Sequence, residues 1–161
     1  MAQNRGKQFE EVIKEAFLTV PNTSVVRLPD PVQGYLGYRN ICDFIIYHYP
    51  NQLFIECKSV HGGTLPFSNI TDNQWQGLLE MSKIDGVIAG VICWWIDKDV
   101  TAFIPISVLR DLKELGHKSV SYQWDKYAIE DNGNCVRIRE IHGKKKRVFF
   151  DYDMEGFLNE F

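Results

Sequence analysis

Asp43, Glu56 and Lys58 lie in two short segments, residues 41 to 48 and 52 to 58, in which Ile, Phe, Tyr and Leu dominate. Tyr49-Pro50-Asn51 between them is a turn signal, so the pair reads as a β-hairpin. A turn centred on Tyr49 and Pro50 pairs Tyr47 with Gln52, Ile45 with Phe54 and Asp43 with Glu56. Opposed residues of an antiparallel pair lie about 4.5 to 5.5 Å apart at Cα and share a face, and Lys58 shares it because side chains alternate with period two. Two carboxylates facing each other repel, and in an apolar setting that repulsion must be neutralised. A hard divalent cation can neutralise it, since Mg²⁺, with Mn²⁺ as a substitute, takes one or two carboxylates together with water and phosphate oxygens. Lys58 would then be the electrophile. Exposed edge-strand acids and a chance Glu-x-Lys are the competing explanation. The apolar run on both sides of the acids favours a buried hairpin, where Asp, Glu and Lys are rare unless paired or metal-bound.

Residues 5 to 18 must form the first supporting element, an amphipathic helix whose Phe9, Val12, Ile13, Ala16 and Phe17 make one stripe. At about 100° per residue Glu11 falls opposite that stripe, while Glu10 borders it, facing either the hairpin acids or solvent. Ser24 to Leu28 reads as a short strand. Pro29 to Asn40, with two prolines, two glycines, Tyr35, Tyr38 and Arg39, reads as a long loop entering the hairpin. Its tyrosines either pack the loop down or stack on bases, with Arg39 available to phosphates. Thr71-Asp72-Asn73-Gln74 has the spacing of a capping box and opens a helix over 71 to 83 with Trp75, Leu78 and Leu79 inward. Gly86 to Trp95 reads as a buried central strand, followed by a strand through Phe103 and a helix from Pro105 to Gly116. Val136 to Ile141 and Arg147 to Tyr152 alternate like strands around a turn at 142 to 146, and 154 to 161 reads as a short terminal helix.

The 161 residues suit a single domain, with aromatics at 13% to supply its core. Cys42, Cys57, Cys93 and Cys135 are scattered singly in apolar segments, which indicates reduced core thiols rather than a zinc site or a disulfide framework. With no signal peptide and no long apolar run, the expectation is a cytoplasmic protein with no membrane association. A net charge of −3 excludes a protein that coats nucleic acid, so any DNA contact must be local. Lys144, Lys145, Lys146 and Arg147, beside Arg137 and Arg139, are either a solvated turn or a phosphate-binding patch. Arg5, Lys7 and Arg39 are the other candidate cations near the acids.

The series of a helix carrying Glu10, a hairpin carrying Asp43, then Glu56-Cys57-Lys58 and a helix carrying Gln74 resembles the PD-(D/E)xK nuclease superfamily. More closely, Asn4-Arg5-Gly6-Lys7-Gln8-Phe9-Glu10, Asp43-Phe44, Phe54-Ile55-Glu56-Cys57-Lys58, Pro66-Phe67-Ser68-Asn69-Ile70 with Gln74, and Gly116-His117-Lys118-Ser119-Val120 resemble the RecU-type Holliday-junction resolvases, over roughly residues 4 to 120. The resemblance implies an α/β, restriction-endonuclease-like core with a central mixed β-sheet flanked by helices. It also implies a Mg²⁺-dependent endonuclease that resolves four-way DNA junctions as a homodimer. Asp43 and Glu56 would be metal ligands, with the Cys57 main-chain carbonyl as another. Lys58 would orient the attacking water or stabilise the pentavalent phosphate, and Glu10 would complete the acidic cluster. Gln74 holds a family position near the site, although its capping role accounts for it equally well. Two further readings stand beside this one: the same fold cutting other DNA, and a non-catalytic DNA-binding module that keeps the fold.

Overall fold

A computed structural model describes residues 4–30, 39–127 and 137–161. The first helix, α1 (Arg5–Leu18), buries Phe9, Ile13, Ala16 and Phe17 and leaves Glu11 exposed, as the apolar stripe requires. The chain then forms β1 (Thr23–Arg27), β2 (Phe44–His48), β3 (Asn51–Val60) and β4 (Thr64–Pro66). These are followed by α2 (Asp72–Ser82), β5 (Val87–Trp95), β6 (Val100–Pro105), α3 (Ile106–Glu114) and β7 (Ser119–Ser121). Beyond residue 137 come β8 (Arg139–Glu140), β9 (Gly143–Lys145), β10 (Phe150–Tyr152) and α4 (Met154–Leu158).

The main sheet has the order β1-β2-β3-β5-β6-β8, in which β3 and β5 are parallel and the other neighbours antiparallel. Parallel neighbours need a crossover, and β4 with α2 supplies it. A mixed sheet flanked by helices is the α/β architecture expected from the sequence. On one face α1 and α4 cover Phe44, Ile46, Leu53, Ile55, Ile92 and Trp94; on the other α2 and α3 cover Val91, Cys93, Trp95 and Ile104. The long apolar segment before Trp95 is buried on both sides because it is central, flanked by β3 and β6. Cys42, Cys57 and Cys93 are buried free thiols, and burial pushes the Cys42 thiol up to about 12, which keeps it unreactive. Cys135, Tyr35 and Tyr38 lie outside the described residues. Among the described residues, no helix is long and apolar enough to cross a membrane.

Several elements depart from the sequence reading. Pro105 ends β6 and caps α3, which begins at Ile106 rather than at the proline. Leu65-Pro66 belongs to a strand, since β4 pairs with β7, and Phe67 N–H donates to the Lys118 carbonyl at 2.9 Å. Lys144 and Lys145 are strand residues paired with Asp151 and Phe150, so the turn of that hairpin lies later than expected. Within the described part of the segment ending at Ile141, only Arg139–Glu140 is strand. Arg139 is buried, with Nη1 2.6 Å from a Glu160 carboxylate oxygen and its guanidinium 4.7 Å from the Phe161 ring, so it is not part of a surface patch with Arg137. Strands of two or three residues carry too little alternation to be read from pattern alone.

α2 approaches the segment before β2 closely. A Cβ on Gly77 would collide with Cγ2 and Cβ of Ile41, whereas one on Gly6 would meet nothing within 4 Å. Gly77→Ala should therefore cost about 1–3 kcal/mol by overpacking. Gly6→Ala, in an open part of α1, should be neutral or slightly stabilising. Equilibrium unfolding in urea checks both, and equal midpoints for the two variants would contradict the packing described.

Candidate active site

The hairpin has the expected register: Tyr47 pairs with Gln52, Ile45 with Phe54 and Phe44 with Ile55. The ladder ends at Phe44, so the expected Asp43–Glu56 pairing is not part of it; instead Asp43 N–H donates to the Ile55 carbonyl at 3.0 Å. The Asp43 carbonyl accepts from Leu28 N–H at 2.8 Å, and its carboxylate Oδ2 accepts from Cys57 N–H at 2.8 Å. Asp43 is thus held by main-chain groups on both sides, and its carboxylate is close enough to Glu56 for the two charges to act on each other. Glu56 is 4% exposed. Its Oε1 receives Lys58 Nζ at 3.0 Å and Gln74 Nε2 at 2.8 Å. The Cys57 side chain points to the opposite face, into the core beneath α1.

Burial penalises the charged form of both acids. It raises Asp43 to about 6 against the lowering effect of the Cys57 amide, and raises Glu56 to about 8, with the Asp43 charge adding to the rise and Lys58 opposing it. Each acid's charge works against the other's, so the pair resists carrying two negative charges at once. Two carboxylates this close carry their charges only at a cost, which positive charge nearby offsets.

Glu10, on α1, contributes charge to the site by raising Asp43, but its carboxylate is bound by Arg27 Nη2 at 2.8 Å. Among the described residues no three His, Cys, Asp or Glu side chains come together in a metal-holding group. The acids brought together on the hairpin are Asp43 and Glu56. Arg27 had no place in the sequence reading. It also lies 4.0 Å from Asp30, and Asp30 is 3.5 Å from Lys7. A signal for it existed: strand alternation puts Arg27 on the same face as Val25, toward α1, where a cation needs an acid.

Around the centre, Asn73 Nδ2 donates to the carbonyls of Arg39 and Asn40 at 3.2 and 3.1 Å, which brings Arg39 to the first turn of α2 with its side chain exposed. Arg5 is exposed, its guanidinium 5.9 Å from the Phe149 ring, so the start of α1 meets the β9–β10 hairpin. Lys145 Nζ lies 2.6 Å from Asp99 and Lys146 Nζ 3.0 Å from Asp151. Lys144 and Arg147 are exposed and have no ion-pair partner among the described residues.

No protein-family profile and no curated protein matches the sequence. Among solved structures the chain is similar to Hjc, a Holliday junction resolvase from the archaeal hyperthermophile Archaeoglobus fulgidus. That similarity has a TM-score of 0.45 and 18% identity, and it covers 63% of this chain and 78% of the other.

The raised acids make a prediction about stability. Between about pH 4 and about pH 8 the native protein holds protons that the unfolded chain has released, so this contribution is fully present below about pH 4. It is lost as pH rises through about 6 and about 8. In chelator, Glu56→Gln should melt above the wild type at pH 8, and the difference should close toward pH 4. Thermal unfolding across that range measures it, and parallel curves would show that Glu56 is not strained by burial.

Proposed function

We propose that this protein is a Mg²⁺-dependent endodeoxyribonuclease of the PD-(D/E)xK type that cuts branched DNA, with four-way junctions as its preferred substrate. The observation that carries the reading is the half-buried Asp43 beside the buried Glu56, with Lys58 Nζ 3.0 Å from Glu56, on a hairpin whose motifs resemble the RecU-type resolvases. Two carboxylates are a sufficient protein donor set for Mg²⁺, which keeps most of its shell for water and phosphate oxygens. Asp43 and Glu56 would hold the ion, with the Cys57 carbonyl as the further ligand that the resemblance implies, and Mn²⁺ would substitute. When bound, such an ion lowers the pKa of water and offsets charge on a phosphoryl oxygen.

The chain's own groups supply the rest. Lys58, partly exposed beside a buried carboxylate, presents its ammonium toward the phosphate, where it orients the attacking water and offsets charge on the pentavalent phosphorus. The attacking water gives up a proton to solvent as its oxygen bonds to phosphorus, the bond from phosphorus to the leaving sugar oxygen breaks, and that oxygen takes up a proton from solvent, so protons balance. Glu10 adds negative potential at Asp43, and Arg27 keeps its carboxylate from swinging free. Arg5, Lys7, Arg39, Lys144, Lys145, Lys146 and Arg147 are the proposed phosphate contacts. A two-fold homodimer in the cytoplasm would place two such sites on one junction, as paired incisions require.

The test is cleavage of a labelled four-way junction and of the matching linear duplex in Mg²⁺. Asp43→Asn, Glu56→Gln and Lys58→Ala should each lose about 10²-fold or more in turnover. Glu56→Gln should keep its DNA affinity, since the substitution adds no negative charge near the phosphate. Equal activity in wild type and all three variants would remove these residues from the mechanism. Equal cutting of junction and duplex would leave a nuclease without junction preference, and binding without cutting would leave a DNA-binding module.

A second prediction concerns the basic run. Replacing Lys144, Lys145, Lys146 and Arg147 by Ala should weaken binding to all DNA forms and flatten the salt dependence by up to about 0.9 log unit per lost phosphate contact. Lys144 and Arg147 should account for most of it, because Lys145 and Lys146 must first leave Asp99 and Asp151. An unchanged salt slope in a binding titration would mark the run as a solvated hairpin.

A further inference from the structure

We propose that Thr71 is a positioning residue for the Glu56 carboxylate and acts through Gln74, an inference that rests on the nuclease reading for its catalytic consequence. Thr71 caps α2 and closes a capping box: its Oγ1 accepts Gln74 N–H at 3.2 Å, and its own N–H donates to Gln74 Oε1 at 3.1 Å. In an ordinary capping box the amide nitrogen of the glutamine has no further duty. Here Gln74 Nε2 donates to Glu56 Oε1 at 2.8 Å.

The two ends of the amide constrain each other. Its oxygen is committed to a main-chain N–H, so its NH₂ must face the acid; a flipped amide would set oxygen against carboxylate and NH₂ against N–H. Glu56 Oε1 then receives both Gln74 and Lys58, and Oε2 is the oxygen that neither of them occupies. A buried glutamate has three rotatable bonds, and these two donors select one arrangement. The start of α2 is therefore read out as the orientation of one carboxylate on β3. Close packing of α2 makes the reach possible, since Gly77 lies against Ile41 where no Cβ would fit.

Three substitutions separate this role from helix capping. Thr71→Ser keeps both the hydroxyl and the N–H. Thr71→Pro removes them, and the backbone tolerates it, because Thr71 has φ −68° and Ile70 is extended. Gln74→Glu keeps the capping box, for which Glu is a favoured residue, but removes the donor to Glu56 and sets a carboxylate against it.

The first measurement is the ¹⁵N-resolved side-chain NH₂ signal of Gln74. It should be shifted and slow to exchange in wild type and Thr71→Ser, and should move to the position of a free glutamine in Thr71→Pro. The second is steady-state cleavage. Thr71→Pro and Gln74→Glu should lose about tenfold or more in kcat with KM for DNA within about twofold, and Thr71→Ser should match wild type. Unchanged Gln74 signals in Thr71→Pro, or wild-type cleavage by Gln74→Glu, would overturn the proposal. If wild type cuts no DNA, the nuclease reading fails, and the NH₂ signal alone upholds or overturns the positioning of Glu56.

Discussion

Two carboxylates in one largely buried site are the constraint around which the rest of this structure is arranged. Asp43 and Glu56 repel as charges and are poorly hydrated where they sit, so each must be met by donors from the protein. Asp43 finds the Cys57 amide, which β3 leaves unpaired beyond the end of its ladder with β2 at Phe44. Glu56 finds Lys58 from its own strand and Gln74 from α2. The compensation remains incomplete, and the pair keeps a proton in the pH range where free carboxylates have lost theirs.

The layers on either side of the sheet serve that site differently. Beneath it, Phe9 of α1 packs against Trp94 at 5.6 Å between ring centroids, which seats the helix and brings Glu10 close enough to act on Asp43 by charge. Arg27 on the edge strand prevents that third acid from adding its full repulsion. Above it, α2 carries Asn73, which binds the carbonyls of Arg39 and Asn40, and next to it Gln74, which binds Glu56. Consecutive residues at one helix start thus tie the segment entering the hairpin and the acid on the hairpin to the same rigid element. The net charge of −3 is compatible with this arrangement because several cations are already engaged: Arg27 with Glu10, Lys145 with Asp99, Lys146 with Asp151 and Arg139 with Glu160. Arg39, Lys144 and Arg147 are left exposed.

What the sequence determined by itself was everything that follows from local repetition. The stripe of Phe9, Ile13 and Phe17 marks α1 because a helix repeats every 3.6 residues. A two-residue turn at Tyr49-Pro50 sets the hairpin register, and with period two it also sets the shared face of Glu56 and Lys58. The capping box at Thr71 was legible because its partners are three residues apart. Tertiary structure alone decided which distant groups meet. Gln74 could be assigned to the cap or to the site from its position, and it serves both because α2 packs close enough for one amide to reach two partners. Arg27 and Glu10 are 17 residues apart, and Arg139 and Glu160 are 21 apart, so no periodicity joins them. The two- and three-residue strands from Thr64 onward exist only because a partner strand offers its main chain. Periodicity encodes which face a residue takes within its own element; the packing of elements against one another, a property of the whole chain, decides what that face touches.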